Sequence, residues 1–149
     1  AGRRNQYANP RLGKDRDMQT LGSIIDELSI TATAEWTDRN PNMDVESMDH
    51  WKVTLRRKFP RRQMTVYFSM GYGHNGAEPT AADVLDCLAS DASGYDNSRD
   101  FEDWANDYGY DADSRKAERI YRAVERDAAR LHRFLGDDYD RVLYGTERL

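Results

Sequence analysis

The chain has 149 residues, of which 33% are charged and 38% are hydrophobic, and its formal net charge is −5. This length suits one domain with a buried core, and the balance of charged and hydrophobic residues excludes a wholly disordered chain. The single cysteine, Cys87, excludes an internal disulfide and fits a reducing compartment, and no apolar run approaches the roughly 18 residues of a membrane span.

The first 17 residues are polar and basic, and they predict a flexible arm before a single α+β domain over residues 18–149. The arm carries five cations, which are Arg3, Arg4, Arg11, Lys14 and Arg16. Such cations are able to contact phosphates, but a frayed terminus without a role is the simpler interpretation.

The segment from residue 18 to residue 70 predicts a short helix followed by three strands. Apolar residues recur at helical spacing up to Leu28. Hydrophobic and polar residues then alternate in three segments, which is typical of half-buried strands. These segments are residues 30–36, 51–58 and 64–70. Phe59 and Pro60 separate the last two strands, so we expect these strands to form an antiparallel hairpin.

The tip of this hairpin is the most basic part of the chain. Its sequence, RRKFPRR, places five cations around one aromatic ring, which is typical of nucleic-acid binding. The cations are Arg56, Arg57, Lys58, Arg61 and Arg62. The alternative is a charged hairpin end that keeps the edge of the sheet from aggregating.

Two acidic helices are predicted after the strands. Thr80 and Asp83 form a capping-box pattern at the start of the first helix, which we expect to end between residues 91 and 95. Ser98 is the expected N-cap of the second helix, and three aromatic residues of that helix recur as a core stripe. The aromatic residues are Phe101, Trp104 and Tyr108.

These helices lie in a strongly acidic block. Residues 78–113 contain 11 anions and one cation, whereas residues 1–77 have a net charge of +3 and residues 114–149 a net charge of +2. A block of this kind favours a basic partner, although carboxylates on solvated helix faces are also common. The expected partner-binding carboxylates are Asp86, Asp91, Asp96, Asp100, Asp103 and Asp107.

A long helix is expected from Asp113 or Ser114 to Gly136, followed by a short helix within residues 137–149. One face of the long helix is apolar and a neighbouring face carries a stripe of arginines. The stripe consists of Arg115, Arg119, Arg122, Arg126, Arg130 and Arg133. It either binds phosphates or neutralises the acidic helices within the domain, and we favour neutralisation because consecutive helices pack nearby. Three to four C-terminal helices are therefore expected to pack on one face of the sheet.

No catalytic group, metal site or cofactor is predicted. The three histidines and Cys87 lack the spacing of a zinc site. GYGHNG at residues 71–76 matches a dinucleotide-binding pattern in its glycines, but no helix follows it directly. Acidic residues between positions 107 and 118 have part of the spacing of a calcium loop, but Ala112 stands where the loop needs glycine.

Five segments between about residue 50 and residue 144 carry a resemblance. They are HWKVTL, FSMG, PTAADVLDCLASDA, FEDWA and GYDADSRKAE. Together they resemble a family of small proteins encoded by phages and prophages. The resemblance implies a setting, the cytoplasm of an infected bacterium, and carries over no activity or catalytic residue.

We therefore expect an interaction protein rather than an enzyme. Its acidic surface would bind a host protein with a basic surface, as inhibitors of restriction or CRISPR systems do. The alternative is a small nucleic-acid-binding module that uses the basic hairpin and the arginine stripe. Neither a cofactor nor a membrane is expected, and the sequence does not predict an oligomeric state.

Overall fold

The computed structural model of the chain describes residues 19–43, 48–71 and 77–146. Its elements are α1 (Leu21–Leu28), β1 (Thr31–Thr37), β2 (Asp49–Lys58), β3 (Arg61–Met70), α2 (Ala81–Asp96), α3 (Phe101–Asp107), α4 (Arg115–Leu135), a 3₁₀ turn (Gly136–Asp138) and α5 (Tyr139–Thr146). The expected α+β class, with a short helix, an antiparallel sheet and several C-terminal helices, is confirmed. The expected basic arm and the glycine-rich segment at 72–76 lie outside the described residues.

The three strands form one antiparallel sheet in the order β1-β2-β3. Its register places Ala34 opposite Val53, and Val53 opposite Val66, so the apolar sides of all three strands share one face. Alternate residues of a strand point to opposite sides, and polar side chains therefore line the other face. This alternation gives the molecule one packed sheet face and one open sheet face.

The packed face of the sheet shares a single core with four helices. Burying these apolar side chains removes them from water, which is the main force that holds the helices on the sheet. The fully buried residues contributed by the helices include Leu21, Ile24, Val84, Leu85, Leu131, Phe134 and Val142. In α5, Gly145 lies so close to α1 that an added Cβ would be 3.2 Å from the Leu21 Cα and 3.0 Å from the Ile24 Cδ1.

The boundary between the two acidic helices differs from the prediction. The first helix, α2, does not end between residues 91 and 95 but continues to Asp96. Gly94 lies inside α2 and does not mark its end. A glycine is needed at this position because the Tyr108 ring fills the space that a side chain would take. The N-cap of α3 is Asp100 rather than Ser98, whose hydroxyl donates to the Gly94 carbonyl at 2.8 Å.

A second, smaller core joins α3 to α4. Trp104 and Tyr121 are buried in it with ring centroids 5.1 Å apart, and Tyr110 stacks on Trp104 at 5.2 Å. The expected aromatic stripe of α3 is therefore largely used for packing, as predicted. Tyr108 departs from that prediction, because 48% of it is exposed.

No helix within the described residues has both the length and the apolar character needed to cross a membrane.

Candidate interaction surfaces

The acidic surface comes from α2, α3 and the connections beside them. Two of the six expected carboxylates there have local structural roles. Asp100 caps α3, accepting from the backbone N–H of Asp103 at 2.8 Å. The side chain of Asp103 accepts from the backbone and the guanidinium of Arg99, and these bonds lower the pKa of Asp103. Both carboxylates therefore help to form the start of α3.

Asp96 is engaged by two C-terminal elements. The Nε2 atom of His132 lies 2.9 Å from its carboxylate, and the Tyr139 hydroxyl donates to it at 3.3 Å. The His132 and Tyr139 rings stack with centroids 3.9 Å apart. Asp96 thus links the end of α2 to α4 and α5.

Other carboxylates of the acidic block form no such contacts. Within the described residues, no hydrogen bond or ion pair reaches the side chains of Asp86 and Asp107, two of the six expected sites. The same holds for Glu102 and Asp113, which were not among the expected sites. Asp107, Glu102 and Asp113 are exposed, and Asp86 is half-buried. The uncompensated negative charge therefore lies on α2, on α3 and just before α4.

Three of the six arginines in the α4 stripe contact groups outside the acidic block. Arg122 pairs with Glu125 at 3.2 Å, and Arg130 pairs with Asp127 at 3.1 Å, so these partners belong to α4 itself. Arg126 donates to the Asn42 side chain at 3.3 Å. The reason is geometric: α4 also flanks the free edge of β3, where Arg130 donates to the Thr65 carbonyl at 3.4 Å.

Asp91, the remaining expected site, lies in a groove that the sequence did not predict. The groove has a volume of about 320 Å³. It is lined by parts of α2, α3, α4 and β3 and by Asn40, Asn42, Met43 and Met48. The Cys87 thiol lies 3.9 Å from the Asp91 carboxylate in this groove. Both residues keep exposed surface, but the surrounding groove partly desolvates them. This desolvation raises the pKa of Asp91 to about 6 and, together with the nearby Asp91 carboxylate, raises the pKa of Cys87 to about 12. A thiol of this kind is a poor nucleophile at neutral pH.

The groove combines these acidic groups with an apolar wall. Burial also raises the pKa of Asp127, against the opposing effect of Arg130. The wall includes Trp104, Tyr110 and Met43. The spacing of Cys87 and Asp91, four residues apart on one helix, was visible in the sequence, but nothing there placed Asp127 beside them.

The basic hairpin splits into two groups with different roles. Arg57 is only 3% exposed and donates to the Phe134, Leu135 and Phe59 carbonyls at 3.0 to 3.2 Å. It also pairs with Asp138 at 2.9 Å. It therefore satisfies carbonyl groups at the C-terminal end of α4, where a cation is favourable.

Arg62 has a similar position, because its guanidinium donates to the Arg133 carbonyl at 2.9 Å. Arg57 and Arg62 face each other across the hairpin and lie on its packed side. Arg62 is nevertheless exposed, as are Arg56, Lys58 and Arg61, so Arg57 alone of the five expected phosphate-binding cations is buried. The structure thus separates the five cations that the sequence placed together.

Comparisons with known proteins found no match for this chain among family models, curated proteins or solved structures. In the described part of the chain, no group of three or more His, Cys, Asp or Glu is arranged to hold a metal ion. The function is therefore inferred from the surfaces described above.

Proposed function

We propose that this chain is a phage-encoded interaction protein that binds a basic surface of a host nucleic-acid-processing defence enzyme and inhibits it. It would act in the cytoplasm of the infected bacterium. The partner-binding surface would be the acidic block at residues 78–113.

The observation that carries this proposal is the uncompensated charge of the block. Its 11 anions are accompanied by one cation of its own, Arg99, which pairs with Asp103. Arg122 and Arg130 of α4 take partners on their own helix instead. A surface of this kind attracts a basic partner over a distance of about 10 Å at moderate salt and accelerates its encounter.

Enzymes that process nucleic acids supply the matching surface. They must attract a phosphate backbone, so their binding channels are lined by Lys and Arg. A compact acidic protein can occupy such a channel by presenting carboxylates in place of phosphates. Competition with the nucleic acid would then inhibit the enzyme without any chemistry on the part of the inhibitor.

The test measures the survival of phages in bacteria that express this chain. A panel of strains, each with one restriction or CRISPR system, is challenged with a sensitive phage, and efficiency of plating is compared with and without the chain. The acidic-face variant carries Glu102→Lys, Asp107→Lys and Asp113→Lys, three exposed sites without structural contacts among the described residues.

The control variant changes the net charge equally at sites outside the acidic block. It carries Asp26→Lys, Asp38→Lys and Asp137→Lys, which are also exposed. We expect the chain and the control variant to raise plating by at least tenfold in one strain, and the acidic-face variant to have no effect. Unchanged plating throughout the panel, or equal activity of the two variants, would contradict the proposal.

A further inference from the structure

The open face of the sheet is a second charged surface, separate from the acidic block. The strand register aligns its residues in rows of three, one residue from each strand. The first row consists of Thr31, Arg56 and Gln63. The next two rows of this face are Thr33, Thr54 and Thr65, then Glu35, Lys52 and Tyr67. Lys58 and Arg61 pair at its outer end.

This face is basic in a protein that is acidic as a whole. Its strands contribute four exposed cations and one carboxylate, Glu35. The cations are Lys52, Arg56, Lys58 and Arg61. Lys52, Arg56 and Lys58 lie on the central strand β2, and Arg61 lies on β3 opposite Lys58. All four point to the open face, with the threonine row between Lys52 and Arg56.

The face is also concave. A hollow of about 630 Å³ lies over its middle rows, and Arg126 and Arg130 of α4 form the wall beside β3. A second hollow of about 660 Å³ lies at the hairpin end of the sheet. Arg56, Lys58 and Arg61 of the open face line it, together with Arg57 and Arg62 of the packed side. The two hollows share no lining residue but follow one another along the strands, and they are called the trough from here on. Each is lined in large part by cations and hydroxyl groups.

An aromatic ring stands at the end of this trough. Phe59 is 82% exposed at the hairpin tip, between Lys58 and the exposed Arg61. A ring this exposed is free to stack on a ligand, and every nucleobase offers a flat surface for such stacking.

We infer that the open face of the sheet binds a single strand of nucleic acid, a role that goes beyond the proposed docking of the acidic block. Phosphates would lie along Lys52, Arg56, Lys58 and Arg61, and a base would stack on Phe59 at the hairpin tip. In the middle row, the Thr54 and Thr65 hydroxyls hydrogen-bond to each other at 3.1 Å and Thr33 accepts from Arg56 at 3.3 Å. The Thr33 hydroxyl and one hydroxyl of the Thr54–Thr65 pair can still donate to phosphate or sugar oxygens.

The dimensions of the face suit a short segment of such a strand. The Lys52 row and the Lys58 row are six residues apart, which corresponds to about 20 Å at the rise of a β-strand. A segment of about four nucleotides fits this length, within the range of small single-strand-binding domains. Four neutralised phosphates would give a slope of about −3 for log K against log salt.

The test is fluorescence anisotropy with the purified full chain and a labelled 20-nucleotide oligo-dT at 50 to 300 mM salt. We expect saturable binding in the micromolar range at 50 mM salt, with the salt dependence given above. Phe59→Ala should weaken binding about tenfold, and the double variant Arg56→Glu, Arg61→Glu should abolish it while the circular dichroism spectrum is unchanged.

A matched control keeps this test specific. Arg115→Glu with Lys116→Glu removes the same charge from exposed sites in the first turn of α4, away from the trough. This control should bind oligo-dT within a factor of two or three of the unchanged chain. Equal loss in both double variants would mean that only bulk charge acts, and this result would overturn the inference.

Two other results would also overturn it. Tighter binding of a 20-base-pair duplex than of oligo-dT would exclude a single strand as the preferred ligand. A dimer in light scattering that dissociates in the Arg56→Glu, Arg61→Glu variant would assign the face to the acidic block of a second copy. Because no host protein is present in this experiment, its failure leaves the proposed inhibition unaffected.

Discussion

At the scale of single residues, Arg57 connects the hairpin to the C-terminal helices. Its guanidinium donates to carbonyl oxygens at the end of α4 and pairs with Asp138. A helix end that is buried without such donors would leave its last carbonyl groups unsatisfied. Arg57 is therefore part of the core, although it lies in the most basic segment of the sequence.

Replacing Arg57 with methionine should destabilise the fold strongly. The variant keeps much of the apolar stem but removes the bonds to Phe134, Leu135 and Asp138, and we expect a loss of about 3 kcal/mol in the free energy of unfolding. Urea denaturation measures it. Arg61→Met, at the exposed end of the same hairpin, should change stability by less than about 0.5 kcal/mol. A loss below about 1 kcal/mol for Arg57→Met would contradict the role assigned to Arg57.

The Asp91 carboxylate should make stability depend on pH between about 4 and 6. Burial raises the pKa of Asp91 in the folded state from 3.8 to about 6, so the folded state binds a proton more tightly than the unfolded state. The contribution of Asp91 to stability therefore falls as the pH rises from about 4 to about 6. This contribution is least favourable above about pH 6.

Asp91→Asn should remove this effect. The variant should be more stable than the unchanged chain at pH 7 by up to about 1 kcal/mol, a modest value because solvent reaches Asp91 and screens its charge. The difference should vanish near pH 4. Thermal unfolding at pH 4, 5, 6 and 7 measures it, with Asp107→Asn as the exposed control. A variant that is no more stable at pH 7 would show that Asp91 is well solvated.

At the scale of elements, α1 and α5 pack closely enough to require a glycine. An added Cβ at Gly145 would lie 3.2 Å from the backbone of Leu21, which has little freedom to move within α1. At Gly22, on the exposed side of α1, the nearest atom to an added Cβ is the Thr20 Oγ1 at 3.9 Å. Both glycines lie in helices, where alanine has the higher helix propensity. Only Gly22 has room for the added methyl group.

Substituting alanine at these two positions should change stability in opposite directions. Gly145→Ala should cost about 1 to 2 kcal/mol, because overpacking outweighs the gain in helix propensity. Gly22→Ala should gain about 0.5 kcal/mol from propensity alone. Thermal unfolding of both variants tests this, and a stabilising Gly145→Ala would mean that α5 does not pack on α1 as described.

Sequence periodicity was sufficient to predict most helices and strands. It did not predict every helix end or every buried side chain. The alternation that buries Val53 and Leu55 continues to Arg57, so its burial could have been predicted from strand parity alone. The end of α2 was obscured because Gly94, which usually favours a helix end, instead makes room for Tyr108. Propensity is a local quantity, and here a contact between two helices overrides it.

At the scale of the whole molecule, charge is divided between two surfaces. The acidic block at residues 78–113 lies on α2, α3 and their connections, while the open face of the sheet carries Lys52, Arg56, Lys58 and Arg61. This separation depends on which groups the α4 arginines contact. The spacing of these arginines in the sequence was compatible with several different sets of partners. The groove around Asp91 was also unpredictable, since it brings together segments that are far apart in the chain.

The claim that the acidic block recognises a basic partner is tested most directly by quantitative capture from extracts of the bacterial strains used in the plating test. The unchanged chain, the acidic-face variant and the control variant are immobilised at equal density, and the bound proteins are quantified by mass spectrometry after nuclease treatment. We predict that the unchanged chain and the control variant retain the same nucleic-acid-processing enzyme, and that the acidic-face variant retains less than a tenth of it. Equal retention of that enzyme by all three forms, or no such enzyme in any of them, would contradict the account.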